Sequence, residues 1–404
     1  MSNETRCDHY DVIVVGAGPG GSAAAYYLQQ QGIKVLLIDK ARFPRDKTCG
    51  DALTPRAVTV LDGMGLLPTV QSRAWQINGV NIVAPRGHRV VAAVPHSKCW
   101  LPYMLVLPRF VLDDTLRRRA IEAGADFQGQ LQVKALAQAG DGVAVTGEAQ
   151  GQTVRFNAQA LILATGANST LLLQVGLLQR RPVMALAARA YYEDVYDLSD
   201  QIDLRFDGVP LPGYGWMFPV GQSSANLGLG LFPTRWASSL RRQLTATAAF
   251  EAFIQTPALQ ARLRGARRIG PIKGFPLRVD FPGAPTTKGR IMLVGEAAGL
   301  VNPLTGEGID YALESGKLAG EHLATLFRTG QLSPARIADY DRLLHARFAR
   351  LFHLYRWTRR LFVNPLLLNR MVQLANEHTY LKLKLVNLVL GTSATAPAIQ
   401  LALR

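Results

Sequence analysis

The 404 residues predict an α/β fold with a β-rich inserted domain and a helical C-terminus, and three observations carry that reading. A strand, a glycine turn, an amphipathic helix and a second strand follow one another between Tyr10 and Lys40. Far downstream, two more apolar strands, ALILATG from Ala160 and RIMLVG from Arg290, end in glycine turns. Between these, the stretches 75–100 and 183–280 alternate apolar and polar residues and are rich in turn formers, which is the texture of strands.

In the first unit, DVIVV is a β-branched apolar run of the kind buried on both faces of a parallel sheet. GAGPGG then sets Gly16, Gly18 and Gly21 in GxGxxG register, SAAAYYLQQQ supplies the helix, Gly32 stops it, and KVLLID ends at Asp39. Such glycines let the backbone approach a pyrophosphate, which meets the free N–H groups and positive dipole end of the helix. An acid about 20 residues on accepts ribose hydroxyls, so the unit predicts a bound dinucleotide with Asp39 in that role. Downstream, Pro108 to Gly124 reads as a helix entered from PRF, and a second helix runs from Ile309 to Leu326 after the loop NPLTGEG. The expected layout is a discontinuous Rossmann-like domain over 1–74, 101–182 and 281–332. A β-rich substrate domain covers 75–100 and 183–280, and a basic helical segment covers 333–404.

Hydrophobic residues at 48% and charged residues at 18% exclude a disordered or collagen-like chain. An excess of 45 Lys and Arg over 29 Asp and Glu leaves a net charge of +16, which points to an anionic partner. Basic residues are interleaved with Leu and Phe and no RNA- or DNA-binding motif accompanies them, so no nucleic acid is expected. From Arg342 to Asn376 there is no acidic residue, while Arg342, Arg347, Arg350, Arg356, Arg359, Arg360 and Arg370 alternate with Leu, Phe, Tyr and Trp357. Interfacial helices on anionic lipid have this character; the other reading is a pair of helices packed over the dinucleotide domain. Cys7, Cys49 and Cys99 are too scattered for a disulfide framework or a metal site. With no basic leader and no apolar run of roughly 18 residues, the expected location is cytoplasmic, peripheral to the cytoplasmic face of the membrane.

The second glycine-rich junction, VGEAAGLVNPLTGEGI near residue 300, resembles the late segment of flavoproteins of the para-hydroxybenzoate hydroxylase class. In that class the segment lies along the ribityl chain and flavin, which implies FAD as the cofactor. The usual acid there is Asp; this chain has Glu296, one methylene longer. Three more stretches narrow the resemblance to the geranylgeranyl reductase family, in particular its menaquinone isoprenyl-chain reductases. These are FPRDKTCGDALTPRAV from Phe43, LPGYGWMFPVGQSSANLGLG from Leu211 and NPLTGEGIDYALESG from Asn302, and the likeness spans residues 10 to about 325.

The resemblance implies FAD contacts at Gly16, Gly18, Gly21, Asp39, Lys40, Cys49, Gly50, Arg109, Glu296, Gly306, Gly308 and Ile309. Arg109 would approach the adenosine and phosphate end; otherwise it is a solvent-facing arginine at a helix entry. Cys49 would lie beside the flavin, where a thiol can take part in proton delivery, or else it is a small buried hydrophobe. Tyr214, Trp216 and Phe218 share one strand face by the period-2 rule. They would wall an apolar pocket, which makes Cys49, Tyr214 and Trp216 the catalytic candidates. The activity implied is saturation of carbon–carbon double bonds of an isoprenoid chain, in a menaquinone side chain or geranylgeranyl lipid, by hydride transfer from reduced flavin. Electrons would come from NAD(P)H or ferredoxin. A monooxygenase of the same fold is the alternative. A halogenase is disfavoured, because Tyr214 and Phe218 stand where the WxWxIP signature has Trp and Ile, and no lysine falls between Lys47 and Lys98.

Overall fold

The computed structural model describes residues 9–96, 100–233 and 245–392. Cys7, Lys98 and Cys99 therefore lie outside the described residues. The chain opens with β1 (His9–Val15), α1 (Pro19–Gln29) and β2 (Val35–Ile38), followed by β3 (Ala52–Leu53), α2 (Pro55–Gly63) and α3 (Leu67–Gln71). Next come β4 (Trp75–Ile77), β5 (Gly79–Val83), β6 (Arg89–Ala93), β7 (Met104–Val106) and α4 (Arg109–Glu122). After β8 (Asp126–Gln128), a meander of β9 (Gln132–Ala139), β10 (Gly142–Ala149) and β11 (Gln152–Leu163) leads to α5 (Thr170–Gln174). The middle of the chain forms β12 (Met184–Glu193), β13 (Gln201–Arg205), β14 (Gly213–Pro219), β15 (Ala225–Leu231), α6 (Ala246–Ile254), α7 (Pro257–Arg262) and β16 (Arg267–Arg278). The last third holds β17 (Thr287–Lys288), β18 (Ile291–Leu293), α8 (Ile309–Arg328), α9 (Pro334–Ile337), α10 (Asp339–Leu344), α11 (Arg350–Leu361), α12 (Pro365–Glu377) and α13 (Thr379–Val389).

Parallel pairing of β18, β11, β1, β2 and β8 makes the spine of an eight-stranded sheet. Val12 to Val15 are buried in it, as an apolar run between covered faces requires. α1 packs closely along α8. This contact brings the starts of both helices together, so that a Cβ on Gly20 of α1 would lie 3.2 Å from the Ala312 carbonyl oxygen of α8.

The second sheet has seven strands in the order β16-β12-β15-β14-β13-β5-β6. All its neighbours are antiparallel except β13 with β5. β4 belongs elsewhere: it pairs with β7 in a separate three-stranded sheet with β3. The stretch 183–280 is also less uniformly β than its texture suggests, because α6 and α7 interrupt it. α6 reads ATAAFEAFI, rich in good helix formers, and Thr245 caps it by accepting from Ala248 N–H. Phe250 and Phe253 of α6 are buried against Leu227 and Leu229 of β15.

The C-terminal helices are docked rather than detached. Tyr340 donates its buried hydroxyl to the carbonyls of Leu293 at 3.1 Å and Ser315 at 3.2 Å. Tyr311 meets Phe348 and Phe352 edge-on, and α12 and α13 cover β6. Part of the basic charge is spent inside the protein. Arg347 pairs with Glu314 and Arg359 donates to the carbonyl of Pro303, whereas Arg342 pairs with Asp339 at the surface. Arg350, Arg356, Arg360 and Arg370 remain exposed.

Tyr340→Phe removes the donor shared by two buried carbonyls and should cost about 1–3 kcal/mol of stability, read as a lower urea midpoint with an unchanged slope.

Candidate active site

A cavity of about 560 Å³ lies between the two large sheets and takes lining residues from both, together with the start of α8 and the end of α13. At one end the turn after β1 contributes Gly16, Gly18 and Gly20. Gly18 is the N-cap of α1 and carries no capping side chain, so the helix opens with unsatisfied N–H groups. Two guanidinium groups converge there: a methyl group placed on Gly18 would lie 3.6 Å from Nη2 of Arg45 and 4.0 Å from that of Arg109. Gly21 is absent from the lining. Its Cα faces the turn, where a Cβ would sit 1.8 Å from the Gly16 carbonyl oxygen, so its part is to let α1 start against β1.

Arg109 is buried, which removes the solvent-facing reading. Its Nε and Nη2 make a bidentate pair with Asp113 at 2.6 and 2.7 Å, and Arg45 reaches the same carboxylate at 2.9 Å. Burial alone would weaken the Arg109 charge; the Asp113 carboxylate more than offsets it and raises the guanidinium above its ordinary range. Asp39 clamps the turn, accepting from the N–H groups of Ala17 and Ala41 at 2.8 Å each. Asp39 and Lys40 both line the cavity.

The opposite wall comes from the segment after β18. Glu296 is buried, accepts from Arg278 N–H at 3.2 Å and pairs with Lys47 at 3.1 Å. Its carboxylate thus meets a lysine of the loop between β2 and β3. Gly306, Gly308 and Ile309 line the cavity where α8 begins; its N-cap is Gly308, and within its first turn the Asp310 carboxylate accepts from the Tyr311 N–H at 2.7 Å. Glu307 beside them is pushed well above the usual carboxylate range, first by burial and then by the Asp310 carboxylate.

Between these walls sits the Cys49-Gly50-Asp51 loop, facing β14 and β15. Tyr214, Trp216 and Phe218 do share a face and all line the cavity. Ring centroids are 6.0 Å apart for each successive pair. Gly50 touches this face, since a Cβ there would lie 2.9 Å from the Phe218 ring. Tyr214 donates to the carbonyl of Thr305 and stacks on Phe232 at 6.4 Å. Burial raises the Cys49 thiol above its ordinary value, against the pull of Arg109. Burial likewise raises the Tyr214 hydroxyl, helped by Glu307.

Three residues here escaped the sequence reading. Asn226 of β15 is fully buried; its Nδ2 donates to the Cys49 carbonyl at 2.8 Å and to Asp51 at 2.7 Å, and its Oδ1 accepts from the Trp216 indole at 3.0 Å. Asp51 is also fully buried and takes a hydrogen bond from Tyr191. Arg45 is the third. The available cue for Asn226 was an amide in the otherwise apolar strand ANLGLGL, a position where a polar group must find partners.

The model of a family described as FAD binding domain matches residues 9–353. The chain belongs to this FAD-binding family. Menaquinone reductase of Mycobacterium tuberculosis strain H37Rv is 35% identical over 343 residues, covering 82% of this chain and 80% of that protein. Digeranylgeranylglycerophospholipid reductase 1 of Methanothermobacter thermautotrophicus is 30% identical over 340 residues, covering 82% and 81%. Among solved structures, a geranylgeranyl bacteriochlorophyll reductase-like protein from Thermoplasma acidophilum superposes with a TM-score of 0.79 at 25% identity, over 92% of each chain. These relatives place the chain in the geranylgeranyl reductase branch that its motifs resemble. FAD is the cofactor, and the residues present fit it. The open start of α1 with Arg45 and Arg109 suits a pyrophosphate.

Replacing Arg45 with Gln should weaken FAD binding by roughly tenfold, the worth of one charge-assisted contact. Fluorescence titration of the apoprotein with FAD reads this directly.

Proposed function

We propose that the protein is an FAD-dependent oxidoreductase that saturates carbon–carbon double bonds in the isoprenoid chain of a lipid such as a menaquinone or a geranylgeranyl lipid. The observation that carries this reading is the apolar part of the cavity, lined by Ile202, Leu204, Phe206, Tyr214, Phe232 and Phe362. Each CH₂ buried there contributes about 0.8 kcal/mol, so a prenyl chain binds without any polar handle on the chain itself. The reductase names of the relatives support the same reading. Bound and reduced, FAD supplies a hydride. The protein holds that cofactor with Gly16, Gly18, Asp39, Lys40, Arg109, Glu296, Gly306, Gly308 and Ile309, while Gly21 shapes the turn. Tyr214, Trp216 and Phe218 present an aromatic face that holds a planar alkene and excludes water. Cys49, kept as a thiol by burial, hands a proton to the second alkene carbon. Electrons reach the cofactor from NAD(P)H or ferredoxin.

Anaerobically reduced holoenzyme mixed with a menaquinone or a geranylgeranyl lipid should yield product heavier by about 2 Da per reduced bond, the mass of the hydride and proton added. No mass gain with any prenyl lipid would end this reading.

Substrate access points to the last helices. Phe362, Val389 and Leu390 line the cavity from the inside. On the outside the same helices expose Leu354, Trp357, Val363, Leu366, Leu367, Tyr380, Leu381 and Leu383. Arg356, Arg360, Arg370 and Lys384 flank this apolar face. Among the described residues no helix is long and apolar enough to cross a membrane. The face is instead suited to lie on an anionic bilayer, with side chains in the headgroup boundary and arginines at lipid phosphates. The proposed location is thus peripheral, on the cytoplasmic side, with the apolar end of the cavity next to the lipid.

The protein should pellet with phosphatidylglycerol vesicles but not with phosphatidylcholine vesicles, and high salt should release it. The double exchange Trp357→Asp and Leu366→Asp, at exposed positions, should reduce binding at least tenfold while leaving FAD content unchanged.

A further inference from the structure

Asp51 is a fully buried acid at a positive φ of 66°, a backbone conformation few side chains adopt. It faces the site from the middle of the cavity lining. One carboxylate oxygen accepts from Tyr191 of β12 and from Nδ2 of Asn226, and the other accepts from the N–H of Arg109 at 3.3 Å. The same Asn226 amide holds the Cys49 carbonyl and the Trp216 indole. Rotating that amide by a half turn would set its NH₂ against the indole N–H and its oxygen against both acceptors. The Trp216 indole, the Cys49 carbonyl and the Asp51 carboxylate each oppose that rotation, the carboxylate because it accepts and cannot donate, so Asp51 is one of three groups that fix the amide.

We infer that Asp51 is a positioning residue for Cys49: its carboxylate helps to orient Asn226, Asn226 sets the cysteine's backbone beside Trp216, and the carboxylate charge lies close to the thiol. The inference rests on the role of Cys49 given above. The thiol is the hydrogen-bond acceptor of the Asp51 N–H at 3.3 Å, so the two residues are bound in a short loop. Charged and titratable groups around the pair are Arg109 and Lys47 near the thiol, Arg189 and Tyr191 near the carboxylate, and Tyr214 across the cavity. Burial pushes Asp51 up to about 6, while hydrogen bonds from Tyr191 and Asn226 and the charges of Arg189 and Arg109 hold it there. Near pH 7 it is therefore mostly ionised, and its negative charge opposes formation of a second anion at Cys49.

Asp51→Asn tests this, because asparagine tolerates the left-handed backbone while losing the charge and one acceptor. In the holoenzyme, alkylation of Cys49 by iodoacetamide, read as the mass of its own peptide, should show a midpoint about one pH unit lower than in the parent protein. Near pH 7.5 that is roughly a tenfold faster reaction, since one unit is tenfold in thiolate. With lipid substrate, kcat should fall more than tenfold while KM stays within about twofold, as expected for a lost orientation at the reacting centre. Tyr191→Phe, which leaves the carboxylate in place, should move the alkylation midpoint in the same direction by less. Equal alkylation profiles in all three proteins, including no reaction in any of them, would overturn the inference. The thiol profile needs no lipid, so a failure of the isoprenoid reading would leave it intact and be recognised separately by the absent mass gain.

Discussion

The loop from Arg45 to Asp51 is the seam on which the site depends, because seven consecutive residues reach every wall of the cavity. Arg45 pairs with Asp113 behind the nucleotide turn, Asp46 with Arg189 and Lys273 of the seven-stranded sheet, and Lys47 with Glu296 after β18. Asn226 then ties down the Cys49 carbonyl and the Asp51 carboxylate. These pairs are only partly withdrawn from water, with Lys273 44% exposed, so each contributes little net stability and its worth lies in geometry. Breaking one partner is another matter, since it strands a buried charge or donor. The two sheets are thereby held at one separation, and that separation sets the width of the cavity.

Electrostatics divide the cavity into two kinds of space. The nucleotide end has Arg45 and Arg109 at an open helix start, with Asp113 buried behind them as counter-charge. The other end is aromatic and aliphatic, and burial pushes its groups Cys49, Tyr214 and Glu307 toward their neutral forms, with Asp51 the ionised neighbour of the thiol. A polar cofactor and a hydrocarbon chain can then share one opening without either crossing the other's surroundings.

Features that repeat at short range were legible in the residues. The βαβ unit could be read because its glycines and apolar run sit within about 30 positions, and the aromatic face could be read because a strand has a period of two. What could not be read depends on partners brought together by the fold. Asn226 meets Asp51 across 175 residues and Glu296 meets Lys47 across 249. Neither spacing leaves a local trace. Gly21 shows the limit of a motif: it belongs to the fingerprint, yet it packs behind the turn and does not line the cavity. The C-terminal arginines divide in the same way: Arg342 pairs with Asp339 three positions before it, a local spacing, whereas Glu314, the partner of Arg347, lies 33 residues back and is met only in the folded chain.

Asn226 grips residue 49 by its backbone carbonyl. Carbonyl oxygens are common to all amino acids, so the anchor is indifferent to what side chain the position carries. The scaffold and the reactive group are separable at that point: the loop can keep its path while a different side chain is presented to the cavity. A protein built this way has an evolvable slot in its active site, where chemistry can be exchanged without redesigning the architecture that aims it.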